Sequence, residues 1–147
     1  MRDMISNKQM VHIGNLTLSG TTPATSSYVD LRGFDACTIV VVNNTVTDAG
    51  TTAGFTATLQ ESADTTAAAA STVATANTVG AANTITVTSD AADNAIAGAI
   101  GYNGGERYVG VSVTGTTGTD ADVSVYAILN VPHRAPATFI GTAVART

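Results

Sequence analysis

The chain has no tryptophan, one cysteine and few charges: only 12% of its 147 residues are Asp, Glu, Lys or Arg, and aromatics are 5%. Each shortage excludes something. One cysteine, Cys37, cannot close an internal disulfide, so the fold does not rely on an oxidising compartment. Two histidines and one cysteine, scattered along the chain, do not supply the converging ligands of a zinc site. Six basic residues against eleven acidic ones leave a net charge of −5. That is no basic stripe for nucleic acid. The opening residues, MRDMISNKQM, lack an apolar core of signal-peptide length, and no window approaches a membrane span. The expectation is a protein made in the cytoplasm, with neither membrane nor nucleic acid as partner.

What is abundant is small. Ala and Thr together make about a third of the chain. Thr and Val favour strands, while Gly, Asn, Asp and Ser favour turns. The length suits one domain with a real core. Along the chain, VHIGNLTLSG reads as a strand with a slip near Gly14, SYVDL as a short strand and RGFDA as a turn at Gly33. ACTIVVVNN is apolar on both faces from Ile39 to Val42, the signature of a central, covered strand. TVTDAGTTAG reads as a loop. In AGFTATLQES, Phe55, Ala57 and Leu59 face inward. The Ala/Thr-rich residues 63–82 read as a loop with a short strand near Thr72 to Thr75. TITVTS places Ile85 and Val87 inward, and DAADNAIAGAIGYNGG fits either a helical turn or a strand.

The centre of this pattern is 106–131. Val109, Val111 and Val113 point one way, and Tyr108, Gly110, Ser112 and Thr114 the other. Val123, Val125, Ala127, Leu129 and Val131 repeat the alternation against Ser124, Tyr126, Ile128 and Asn130. Glycine, threonine and aspartate lie between the two runs, so they predict a long β-hairpin with one apolar face. Some eight strands at short spacing make an all-β, antiparallel, jelly-roll-like β-sandwich. Extended arms flank it: residues 1–10, the body 11–131, and 132–147.

Candidate sites fare differently. Glu61 and Asp64 sit at a strand end and a loop start, with no aromatic platform for sugar chemistry. Asp120 and Asp122 do not have the spacing of a calcium loop. His12 reads as a surface strand residue, Cys37 as a packed small hydrophobe. Tyr102 to Arg107 holds a tight turn, not a phosphate cradle. No catalytic residue, metal or cofactor is expected. The tail is different: Pro132 and Pro136 take it out of the sheet. His133, Arg134, Phe139 and Ile140 then offer charge and apolar area to a partner. These six residues are the candidate interface, lying along a neighbouring subunit.

Three segments in order, YVDLRGFDACTIVVV, FTATLQESAD and ERYVGVSVTGTTGTDADVSVYAILNVPHRAP, resemble small tailed-bacteriophage head decoration (capsid cement) proteins. Asp30, Gly33, Phe34 and Asp35 carry the likeness in the first, Leu59, Gln60, Glu61, Ser62 and Asp64 in the second. Arg107, Tyr108, Val109 and the exit Pro132 to Pro136 carry it in the third. The resemblance implies a β-rich virion protein on the capsid exterior. It implies clustering as homotrimers, contact with the major capsid protein and no catalysis. The alternative is a carbohydrate- or receptor-binding β-sandwich module of a phage fibre or cell surface.

Overall fold

A computed structural model describes residues 7–48, 54–88 and 93–133. They form eleven strands and no α-helix. The strands are β1 (Lys8–Ser19), β2 (Ala24–Thr25), β3 (Val29–Asp30), β4 (Phe34–Asp48), β5 (Phe55–Ser62) and β6 (Ser71–Thr72). They continue as β7 (Thr78–Val79), β8 (Thr84–Val87), β9 (Ala95–Tyr102), β10 (Tyr108–Gly115) and β11 (Thr119–Pro132). One sheet runs β1-β11-β4-β9-β7. In the other, β2 and β3 flank β10, β10 pairs β5, and β6 and β8 lie beyond β5. Every pairing is antiparallel. Take the two short strands β2 and β3 as one and set the others of two residues aside. Eight strands in chain order then stand as 1-8-3-6 opposite 2-7-4-5. This is the double Greek key of a jelly roll, as expected from the sequence.

The alternation predicted the faces except at Val131, which a positive φ of 55° turns out of the core to 58% exposure. Val109, Val111 and Val113 of β10, and Val123, Val125, Ala127 and Leu129 of β11, are all at most 2% exposed. Phe55, Ala57, Leu59, Ile85 and Val87 join them. The hairpin itself does not form. β10 and β11 belong to opposite sheets, and residues 116–118 carry the chain over the sandwich edge. There the Thr119 amide donates to the Thr116 carbonyl at 3.1 Å, and Gly118 adopts a φ of 87°. Period two fixes which side chains face the core, but a hairpin and an arch satisfy it equally. The choice between them falls to the partners: β11 slots between β1 and β4, while β10 takes β5.

Other expectations are adjusted. β1 does slip, between His12 and Gly14, but it starts at Lys8, so residues 8–10 are paired strand rather than arm. β4 is central, with Ile39 and Val41 fully buried, yet Val40 and Val42 on its outer side are only half-buried. It extends through Thr45 to Asp48, which had read as loop, and residues 49–53 lie outside the described residues. The segment 95–102 is a strand. The Ala/Thr-rich stretch holds a strand at Ser71–Thr72, slightly earlier than predicted, and tucks Val73 into the core at 0% exposure. The Val73 amide donates to the Leu59 carbonyl, and the Asn83 side chain donates to the Val73 carbonyl. No helix among the described residues is long and apolar enough to cross a membrane.

Candidate interface

The β1–β11 register sets Lys8 opposite Asn130, so the chain enters and leaves the fold at one end of the sandwich. Pro132 still belongs to β11, opposite Phe34. Val131, just before it, holds a φ of 55° while 58% exposed. That region is costly for a β-branched residue, and strain of this kind concentrates where a chain changes direction or does work. His133 is then fixed twice: its amide donates to the Gly33 carbonyl at 2.8 Å, and its imidazole meets the Asp35 carboxylate. Gly33 has a φ of 92°, which a side chain would resist, and so delivers its carbonyl to this spot.

The same end carries the described cations. Lys8, Arg32 and Arg107 are the lysines and arginines of the described residues, and all three lie here. Arg107 grips Asp30 with a bidentate fork, Nε to Oδ1 at 2.9 Å and Nη2 to Oδ2 at 2.6 Å. The Arg32 amide adds a third bond to Asp30 at 2.9 Å. The Arg107 side chain, and then that amide, hold the Asp30 carboxyl below its usual range. The guanidinium also lies over the Tyr108 ring, 4.9 Å from its centroid. Leu31, Gly33, Phe34, Gly105 and His133 line a shallow open cavity between this fork and the chain exit.

Of the six interface candidates, Pro132 and His133 stand at this end. Arg134, Pro136, Phe139 and Ile140 lie outside the described residues. Glu61 and Asp64 do not form a pair: Glu61 accepts the Tyr102 hydroxyl, and Asp64 caps the amide and hydroxyl of Thr66. Asp122 accepts the Thr17 and Thr45 hydroxyls from the flanking strands. His12 packs against Tyr126, ring centroids 5.1 Å apart. Cys37 is buried, which pushes its thiol pKa up to about 12. Among the described residues no group of three His, Cys, Asp or Glu could hold a metal ion.

The two outer faces of the sandwich contrast. The β10/β5 sheet shows Thr25, Thr56, Thr58, Gln60, Thr84, Thr86, Ser112 and Thr114, a polar lattice with Thr56–Thr86 and Gln60–Thr72 contacts. The β11/β4 sheet shows Met10, Tyr126, Ile128, Val40, Val42, Ala99 and Ile96. The sequence held a signal for this second face. ACTIVVVNN is apolar in both phases, and Tyr126 and Ile128 interrupt the polar phase of β11. Reading the first as full coverage concealed it.

No protein-family model matches the chain, and no curated protein matches its sequence. In structure the chain is similar to one from work described as "Bacillus endospore appendages form a novel family of disulfide-linked pili". The two share 13% identity over 89% of this chain and 96% of that one, with a TM-score of 0.40.

Proposed function

We propose that the protein is a structural virion component that decorates a bacteriophage capsid and stabilises it by bridging neighbouring major capsid subunits. The carrying observation is the convergence at one end. Chain entry, chain exit and every described lysine and arginine gather where Lys8 faces Asn130. A rigid jelly roll that hands both terminal segments out at one pole suits a clamp. The body spaces the contacts, and the segments reach the neighbours. The segment beyond His133 holds Phe139, Ile140 and Val144 with Arg134 and Arg146, apolar area and positive charge for an acidic partner surface.

A sugar-binding module draws less support, because sugars favour open aromatic faces. Tyr102 is 1% exposed, Tyr28 lies against Gly110, Tyr108 sits under Arg107, and Tyr126 packs on His12. The test is retention on purified heads. The full chain should bind capsids lacking it and raise their resistance to heat. A chain ending at His133 should keep its β circular dichroism and bind more weakly, and Arg134→Glu should weaken binding in a salt-dependent way. Binding to a glycan array with none to heads would overturn the reading in favour of the module.

A further inference from the structure

The outer face of the β1-β11-β4-β9 sheet is built in cross-strand rows. Met10, Ile128, Thr38 and Gly101 form one; His12, Tyr126, Val40 and Ala99 the next; Asn15, Ser124, Val42 and Ile96 a third. Val79, from β7, lies over Gly101. Three of the four most exposed large apolar side chains belong to this face: Met10 at 56%, Val79 at 68% and Ile96 at 70%. No Asp, Glu, Lys or Arg stands in these rows. Charge appears only at their two ends. Lys8 stands in the row before Met10, opposite Asn130, and Asp122 stands between Thr17 and Thr45 at the far end.

That order, cation–apolar–anion along the strands, is self-complementary. We propose that this face is a self-association surface on which two copies pack face to face. They would be related by a twofold axis that crosses the strands at the His12–Tyr126 row. The rotation reverses the rows and sets each strand over its own copy, so Lys8 of each copy comes over Thr17 of the other, beside the Asp122 that Thr17 binds, and the apolar rows meet in the middle. Isologous contacts require such a patch, and aligned sheets stack in this way. From Lys8 to Thr17 the face is about 30 Å long, and its four long strands span about 20 Å, giving roughly 600 Å² per copy. Two such faces reach the lower end of what specific interfaces bury. The last described residue stands away from it. His133 is tied to Gly33 and Asp35, and all three border the cavity at the sandwich end. The proposal is independent of the capsid reading. It differs from the threefold clustering that the resemblance implies.

Sedimentation of the full chain over a range of concentrations tests it, with melting curves to show that each variant folds. A monomer–dimer equilibrium is expected. Ile128→Asp, on the outer side of β11, should weaken dimerisation by about a hundredfold or more, since it buries an unpaired charge at the contact. Lys8→Asp and Asp122→Lys should each weaken it by roughly tenfold, because the symmetry removes two pairs per substitution. The double swap should restore most of the loss. A monomer at all concentrations overturns the proposal, as does an oligomer of any size that ignores Ile128→Asp. A monomer that associates only when residues 134–147 are deleted also overturns it, since the chain's own end then covers the face.

Discussion

The Tyr102 hydroxyl donates to the Glu61 carboxylate at 2.7 Å, joining β9 of one sheet to β5 of the other. The ring is 1% exposed, and its oxygen also accepts the Glu106 amide at 3.0 Å. In a core otherwise made of Val, Leu, Ile and Ala with Phe55 and Cys37, this is a directional link between layers held together by non-directional contacts. Gly104 lies so close that an added Cβ would fall 2.5 Å from the phenol oxygen. Tyr102→Phe should leave the Glu106 amide without its acceptor and cost about 1–3 kcal/mol, measured by urea unfolding. Gly104→Ala should destabilise as well, by forcing the ring from its place. Unchanged midpoints for both would show that the link contributes nothing.

The facing of the two central strands is open to a matched set of substitutions. Val111 and Val125 are 2% and 0% exposed, in β10 and β11, whereas Ser112 looks outward among the threonines. Val111→Asp and Val125→Asp should each cost several kcal/mol or abolish folding. Ser112→Asp should cost little. Equal melting temperatures for all three would contradict the facing.

Cys37 gives a pH dependence with a definite sign. Its thiol is raised from 9.0 to about 12 by burial, so the folded protein keeps a proton that the unfolded chain releases. The contribution to stability is complete below pH 9 and falls away as pH rises from there towards 12. Cys37→Ala should show a shallower alkaline decline. In the native state at pH 8 the thiol should resist alkylation, and it should react fully in denaturant.

Asp30 works in the opposite direction. The Arg107 fork holds its carboxyl below the ordinary range. Its contribution is therefore present above the unfolded carboxylate pKa near 3.8 and is lost as pH falls below that value. Arg107→Ala should remove this part of the acid slope in melts between about pH 4 and 2, and Asp30→Asn should do the same. The effect should shrink in high salt, since both partners are substantially exposed.

Much of the architecture was legible because a β-strand writes its faces into alternate residues. Phe55, Ala57 and Leu59, then Val109, Val111 and Val113, went where the period put them. Even the slip at Gly14 was visible. Alternation does not name the partner strand, however, and β10 and β11 were therefore read as paired when they oppose each other. Val73 had no periodic neighbour to betray it; its amide donates to the Leu59 carbonyl of β5, and the Asn83 side chain donates to the Val73 carbonyl. At the candidate interface, proline chemistry pointed to a chain leaving the sheet at Pro132, whereas Pro132 still pairs Phe34 and His133 is held by Gly33 and Asp35. The Asp30–Arg107 fork joins residues 77 positions apart, and no local pattern announces it.

The place of β11 also governs the order in which the molecule can be made. It is the last described strand, yet it lies between β1 and β4 and is the strand that pairs β1. A chain emerging from the ribosome therefore completes β1 and holds it without its partner until more than a hundred further residues have appeared. Closing that loop comes before any of its reward. Folding should thus wait for β11 and be slow, with β1 as an open edge in the interim. A nascent chain arrested before Thr119 would have the whole β10/β5 sheet but no neighbour for β1, and only the final strand would convert the two halves into a sandwich.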